Sequence, residues 1–190
     1  MKISVSIIIL LFFGITNNVF AQEDEDSIAC LDIKTIVGLK NRPIENAIVD
    51  VFLGNELIQE TTTNDHGELH VVLMRNKIYT LVFMKDNLVD RMVSINTTMP
   101  ILPNQEVYKF DCALDMMEGR KPRGNWDAFD FPYALVYFNE KAFHYEFDKK
   151  YTAAIKKEIK ETQNFIAGKN KRNIERTDVD AIQALIDANP

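Results

Sequence analysis

The residues able to do chemistry are few and widely spaced. The chain has three histidines, His66, His70 and His144, and none lies in the His-Glu-x-x-His pattern that supplies zinc ligands and a general base. His66 falls in a predicted turn and His70 alternates with apolar neighbours in a predicted strand, so we expect both to be solvated. His144 shares a strand face with Glu146 and predicts a surface pair. The histidines therefore predict no metal site.

The nucleophilic side chains are equally isolated. Beyond the N-terminal segment described next, Ser27 and Ser94 are the serines of the sequence, and neither lies in a Gly-x-Ser-x-Gly turn. A thiol nucleophile would need a histidine near Cys30 or Cys112, and the sequence gives no sign of one. A glycine-rich phosphate loop is also missing. We therefore expect no enzyme activity, no cofactor and no metal, and a small hydrolase is the weakest of three functional hypotheses.

Residues 1–21 have the features of a secretory signal peptide. Lys2 supplies a positive charge, residues 3–14 are almost wholly apolar, and Ala21 precedes Gln22. The apolar stretch is shorter than the roughly 20 residues that cross a bilayer. A lipoprotein would place a cysteine where Gln22 stands. We therefore expect an exported protein, periplasmic or associated with the outer membrane, without a lipid anchor.

The charge distribution argues against nucleic acid as a partner. The formal net charge of −6 becomes −7 when Lys2 is removed with the signal peptide. Residues 22–28 form an acidic leader, whereas residues 149–176 hold nine Lys or Arg against three Glu. Such a basic stretch predicts either a solvated helix face or a surface that docks onto an acidic partner or lipid headgroups.

An exported chain meets an oxidising compartment, which permits a disulfide between Cys30 and Cys112. Strand parity argues against the bond, because Cys112 shares a predicted face with Leu114 while Cys30 shares one with Asp32. The sequence leaves this disulfide open.

Residues 29–114 predict a β-sandwich. Apolar residues recur with period two in about seven short runs separated by turns, and no helix intervenes. Asn64-Asp65-His66-Gly67 predicts a tight turn in which Gly67 takes a positive φ. The pattern indicates a mainly β fold, a seven-stranded antiparallel Greek-key sandwich, with a barrel as the alternative.

Several short motifs follow one another in residues 29–114: Gly38, Pro43-Ile44 with Ala47, Thr61 to Thr63, Asp65 with Gly67, and Tyr79-x-Leu81. Their order and spacing resemble carboxypeptidase regulatory-like domains, also called prealbumin-like or transthyretin-like sandwiches. The resemblance implies a rigid accessory module of a secreted or envelope protein, particularly in Bacteroidota, without chemistry of its own. A fold shared so widely does not identify a function.

A different pattern follows the sandwich. Residues 115–130 mix Gly, Pro and charge and predict a linker. Residues 131–190 predict a small ββαα extension, which begins with an aromatic hairpin. Asp148 is the predicted cap of the first helix, Gly168 suits its end, and Thr177 with Asp180 predicts the start of the second.

Aromatic residues crowd the start of this extension, with ten in the 26 positions from 126 to 151. Most are expected to pack as ordinary core. Trp126 and Phe138 fall outside the predicted inward row, and exposed aromatics beside basic residues are common interface anchors. The predicted partner-binding residues are Trp126, Phe138, Lys156, Lys157 and Lys160.

The sequence thus favours a non-catalytic accessory or scaffold subunit of an envelope complex for assembly, secretion or transport. Its partner would be an envelope protein that binds the C-terminal extension. The alternative is a carbohydrate-binding module in which Trp126 and the hairpin aromatics stack on sugars.

Overall fold

Two large β-sheets, one small two-stranded sheet and two helices make up the described part of the chain. A computed structural model describes residues 28–101, 106–119, 127–166 and 177–188. The predicted signal peptide, residues 22–27 of the acidic leader, residues 120–126 of the linker, and Gly168 lie outside the described residues. In chain order the strands are β1 (Ala29–Leu39), β2 (Arg42–Pro43), β3 (Ile48–Leu53), β4 (Glu56–Thr62), β5 (Glu68–Met74), β6 (Ile78–Met84), β7 (Leu88–Val89), β8 (Arg91–Asn96), β9 (Tyr108–Asp115), β10 (Met117–Glu118), β11 (Ala134–Asn139) and β12 (His144–Phe147). The helices are α1 (Lys149–Ile166) and α2 (Thr177–Asp187), and a 3-10 turn spans Asp127–Phe129.

One sheet contains β5, β1 and β9 side by side, with β2 at the end of β1. The other has the order β12-β11-β8-β6-β3-β4, and the short strands β7 and β10 pair separately. Inward residues of both large sheets form one hydrophobic core between them. The mainly β two-sheet fold predicted from the sequence is confirmed.

Period-two alternation generates this core. In β5 and β6 every second residue is buried, because successive side chains of a strand point to opposite faces. The buried residues are those predicted from the sequence: Leu69, Val71, Leu73, Tyr79, Leu81 and Phe83. Each fully buried apolar side chain contributes about 1.5–3 kcal/mol to folding.

The described part of residues 29–114 contains seven strands of six residues or more, as predicted. The expectation that all of them pair in antiparallel fashion is wrong. β9 runs parallel to β1, with Cys112 opposite Thr35, and β11 runs parallel to β8, with Leu135 opposite Ser94. The chain crosses from one sheet to the other before each of these two strands. A crossing connection can return the chain to the end at which its neighbour began, whereas a tight hairpin cannot.

The aromatic hairpin continues the second sheet. β11 lies between β8 and β12, so the sandwich includes the first part of the predicted extension. Ala134, Val136 and Phe138 pack into the core between the sheets. Leu135 points to the opposite face of β11, where α1 covers it.

The predicted ββαα order is confirmed, and α1 begins as expected. The backbone N–H of Tyr151 donates to Asp148 Oδ1 at 2.8 Å, so Asp148 caps the helix. Tyr151, Ile155 and Ile159 are buried in a second hydrophobic cluster, which Ile182 of α2 joins. This cluster fixes α1 against the sandwich.

The predicted turn at Asn64–Gly67 is also present. Gly67 has a φ of 69°, and a Cβ at this position would lie 2.4 Å from the carbonyl oxygen of Val37. Only glycine fits there. Asn64 Oδ1 accepts hydrogen bonds from the backbone N–H groups of His66 and Glu68, at 2.9 and 2.8 Å.

Candidate docking surface and adjoining groove

Exposed lysines cover one side of α1. Tyr151 and Ile155 face the sandwich, so the residues on the opposite side of the helix face solvent. With about 100° per residue, the five lysines of the described helix fall within an arc of about 120°. We call this surface the lysine face: Lys149, Lys150, Lys156, Lys157 and Lys160, all exposed.

The lysine face carries little compensating negative charge. The Lys157 ammonium lies 4.0 Å from Glu161 Oε1, one turn later, and both side chains are largely solvated. An exposed pair of this kind contributes at most a few tenths of a kcal/mol. The Lys156 ammonium lies 5.1 Å from the centre of the Tyr133 ring. Within the described residues, Lys156 and Lys160 have no carboxylate at ion-pair distance. Three of the five predicted partner-binding residues thus lie on this surface.

A groove with a volume of about 360 Å³ adjoins the lysine face. Its floor consists of buried Val93, Cys112 and Ala134, at the edge of the sandwich where β9 has a neighbour on one side only. The aromatic side chains of Tyr133 and Phe147 form its walls. The remaining lining residues are Ala113 of β9 and Lys149, Thr152, Ala153 and Lys156 of α1.

The α1 side of the groove is polar and positively charged. Among the described residues, Thr152 Oγ1 and Arg91 Nε are buried without a hydrogen-bond partner. The buried Arg91 guanidinium lies 4.8 Å from the centre of the Tyr133 ring, so two cations, Arg91 and Lys156, lie near this ring. Burial lowers the pKa of Arg91, because desolvation disfavours its charge.

The predicted anchor Phe138 is not on the surface, and this part of the prediction is wrong. Phe138 is 6% exposed, and its ring packs edge-on against Tyr108 and Tyr145 with centroids 5.1 and 5.3 Å away. It is buried because it shares with Ala134 and Val136 the face of β11 that packs into the core between the sheets, whereas the predicted inward row includes Leu135, which lies on the opposite face against α1. Trp126, the other predicted anchor, lies outside the described residues.

The aromatics of the carbohydrate hypothesis are mainly core residues. Tyr145 is buried, and Tyr137 and Phe147 are half-buried. Phe147 packs edge-on against Phe110 with centroids 5.0 Å apart. Phe143, in the turn between β11 and β12, is 57% exposed.

The two cysteines are free thiols, and the sandwich keeps them apart. Cys112 lies opposite Thr35 on β1, five residues from Cys30. Five residues of strand span about 16 Å, far more than the roughly 7 Å that two bonded cysteines tolerate between Cα atoms. Both thiols are nevertheless buried. A β-bulge between Ala29 and Leu31 turns Cys30 inward, so the predicted polar face for Cys30 is wrong.

Burial makes both thiols weak nucleophiles. It raises the pKa of Cys112 from 9.0 to about 11, although Lys156 acts in the opposite direction. Burial also raises the pKa of Cys30, whose Sγ lies 3.4 Å from the hydroxyl of Tyr145. The thiolate is the reactive form, so a raised pKa reduces reactivity at neutral pH.

The histidines lie at three separate surface positions, as predicted. His144 Nε2 lies 3.7 Å from Glu146 Oε2, which confirms the surface pair. His70 Nδ1 lies 3.5 Å from Asp32, and His66 is exposed in its turn. The described residues contain no cluster of three or more His, Cys, Asp or Glu side chains able to hold a metal ion.

Neither of the two helices in the described part of the chain has the length and apolar composition of a membrane-spanning segment.

Neither family models nor curated proteins match this chain. Solved structures similar to it include the 5-hydroxyisourate hydrolase of Klebsiella pneumoniae, with a TM-score of 0.32, 10% identity, and coverage of 46% of this chain and 97% of that chain. The pilus 2b backbone protein of group B streptococcus has a TM-score of 0.33 and 16% identity over 48% of this chain and 41% of that chain. The 3-chlorocatechol 1,2-dioxygenase of Rhodococcus opacus has a TM-score of 0.33 and 9% identity over 49% of this chain and 60% of that chain. Scores this low transfer no activity, and the β-sandwich assignment depends on the strand order given above.

Sequence reasoning located the lysines but missed the groove. Lys156, Lys157 and Lys160 stand out as a basic run in the sequence. The groove is assembled from β8, β9, β11, the end of β12 and α1, and two of the strand pairings involved are parallel. In the sequence, the one local sign of the groove is Thr152, a polar residue that directly follows the buried Tyr151.

Proposed function

We propose that this chain is a non-catalytic accessory or scaffold subunit of an envelope protein complex, exported to the periplasm or the outer membrane. Its sandwich is a carboxypeptidase regulatory-like module of the type frequent in Bacteroidota. The complex serves assembly, secretion or transport, and the partner is a protein that presents an acidic surface to α1.

The lysine face carries this proposal. It concentrates five exposed cations on one side of a helix, in a chain whose overall charge is negative. A solvated helix face normally mixes both signs, whereas a single-sign surface attracts and orients a charged partner. The helix is held by buried Tyr151 and Ile155, so the lysines are presented by a fixed element. A rigid surface loses less conformational entropy on binding than a mobile tail does.

The non-catalytic part of the proposal is supported by the state of the nucleophiles. Both thiols are buried with raised pKa values. Within the described residues, no hydrogen bond joins a histidine to Ser94, Cys30 or Cys112, and the histidines lie on separate surfaces.

Affinity capture from the detergent-solubilised envelope of the native host tests the docking proposal. We expect the wild-type chain to be recovered with a partner, and the double charge reversal Lys157→Glu and Lys160→Glu to release it. The attraction is electrostatic, so partner recovery should also fall as salt rises from 0.05 to about 0.5 M, where the screening length shortens severalfold. Recovery of the wild-type chain only as a free monomer would contradict the proposal.

A matched control separates this surface from net charge. Lys109 and Lys141 are exposed on other parts of the sandwich, on the outer side of β9 and in the hairpin turn. Reversing both to Glu changes the net charge by the same amount. We expect this control to keep the partner, and equal loss in the two double variants would refute a role for α1.

A further inference from the structure

The groove beside α1 has the dimensions and the lining of a small-molecule site. Its volume of about 360 Å³ lies at the lower end of the range of about 300–1,000 Å³ that is usual for ligand pockets. Val93, Cys112 and Ala134 form an apolar floor that reaches the core between the sheets. Tyr133 and Phe147 enclose it with aromatic walls. Such a space fits a compact apolar body.

Polar groups converge on one side of this apolar space. On α1, Thr152 lies three residues after Lys149 and four residues before Lys156. At this spacing the three side chains project from the same side of the helix, and all three line the groove. Thr152 Oγ1 is buried and makes no hydrogen bond within the described residues. Buried hydroxyls in proteins are normally paired. Threonine in a helix adopts two χ1 rotamers, so rotation of the Thr152 side chain would turn its hydroxyl toward the groove, where a ligand oxygen can pair with it.

The charge at this side selects an anion. Of the ten described residues that line the groove, none is acidic. Hydrogen bonds from Asn139 and Tyr137 lower the pKa of Glu146, and the positive charge of Lys149 lowers it further. The charge of Lys149 is therefore partly compensated by Glu146. Lys156 contacts the Tyr133 ring, and Arg91 adds a third cation near the same ring. Lys156 is therefore the cation best placed to bind a ligand.

We propose that the groove binds a monocarboxylate with an apolar body, such as a medium-chain fatty acid. The apolar chain occupies the space over Val93, Cys112 and Ala134. The carboxylate lies at the α1 side, where it accepts hydrogen bonds from the Lys156 ammonium and from the Thr152 hydroxyl after this side chain rotates about χ1. The proposal does not depend on protein docking at the lysine face, because it concerns the isolated chain.

Calorimetric titration of the purified chain with decanoate tests the proposal. We expect saturable one-to-one binding of decanoate, and much weaker binding of decanol, which lacks the charge, and of acetate, which lacks the apolar chain. Lys156→Met keeps the apolar stem and removes the charge, so it should weaken decanoate binding about tenfold or more. Thr152→Val, which removes only the hydroxyl, should weaken it severalfold.

Two further variants make the result decisive. Lys160→Met removes a charge from the same face of α1 at a residue that does not line the groove, and we expect unchanged affinity. Ala153 is exposed at the groove rim, so Ala153→Trp can fill the entrance without disturbing the core, and it should abolish binding. The proposal is overturned if decanoate does not bind, if decanol binds equally well, if Lys156→Met and Lys160→Met weaken binding alike, or if Ala153→Trp leaves it intact.

Discussion

The hairpin of β11 and β12 carries two phenylalanines in opposite environments. Phe138 lies in β11 and is only 6% exposed. In the fold its ring meets Tyr108 and Tyr145 edge-on, in the interior of the sandwich. The same hairpin exposes Phe143 in its turn. The two residues therefore allow a direct comparison of a core aromatic with a surface aromatic.

Phe138→Ala should lower the free energy of unfolding by about 3–5 kcal/mol, because it leaves a cavity among packed rings. Phe143→Ala should change it by no more than about 0.5 kcal/mol, since an exposed ring loses little contact with the protein. Urea denaturation of both variants measures the difference. A negligible effect of Phe138→Ala would show that this ring is not part of the core.

The Cys112 thiol predicts a pH dependence of stability. Its pKa is raised from 9.0 to about 11 by burial, so the folded state holds the proton to higher pH than the unfolded state does. The contribution is fully present below pH 9 and is lost as pH rises toward 11. We expect the urea midpoint of the wild type to fall more steeply over this range than that of Cys112→Ala. Identical slopes for the two proteins would contradict the buried, protonated thiol.

Among the elements, β11 and β1 mark the limits of prediction from alternation. β5 and β6 bury one face and were predicted residue by residue, because their burial follows period two. β11 is covered on both faces, by the core between the sheets on one side and by α1 on the other. Apolar residues therefore occupy both faces, and alternation does not show which face points into the sandwich. In β1 the bulge between Ala29 and Leu31 reverses the face of Cys30. Both features arise from long-range packing or local irregularity, which periodicity alone does not encode.

The start of α1 was predictable because its signal is local. Asp148 accepts from the Tyr151 N–H, so Asp148→Ala should cost about 1 kcal/mol or more of stability. Asp148→Asn keeps an acceptor at the same position and should cost clearly less. Thermal and urea unfolding of the two variants provide the comparison. Equal destabilisation by both substitutions would argue that the charge of Asp148, and not its capping bond, stabilises the protein.

At the scale of the whole molecule, the sandwich and the hairpin form one body. Ala134, Val136, Phe138 and Tyr145 belong to the same core as the strands of residues 29–114. The likeness to a modular domain suggested an independent sandwich with an attached extension. Parallel pairing of β11 with β8 joins the two, and such a pairing between distant segments leaves no mark in the local sequence.

Truncation tests this unity. A chain that ends at residue 130 loses Ala134, Val136, Phe138 and Tyr145 from the core between the sheets. Burial of a large apolar side chain contributes about 1.5–3 kcal/mol, against a typical total stability of about 5–15 kcal/mol. We therefore expect it to lose cooperative unfolding in urea. A chain that ends at residue 176 lacks α2 but keeps the hairpin and α1, and it should still unfold cooperatively. A stable, cooperative fragment ending at residue 130 would show that the sandwich is complete without the hairpin.

Site-specific photo-crosslinking in the native envelope tests the docking role of α1 most directly. A photoreactive residue at Ala153, which is exposed among the lysines of α1, would report on a partner at that surface. The same residue at Val72, 53% exposed on the outer side of the other sheet, serves as the reference. We predict a discrete crosslinked partner from position 153 and none from position 72. Crosslinking from position 72 alone, or from neither position, would contradict the account.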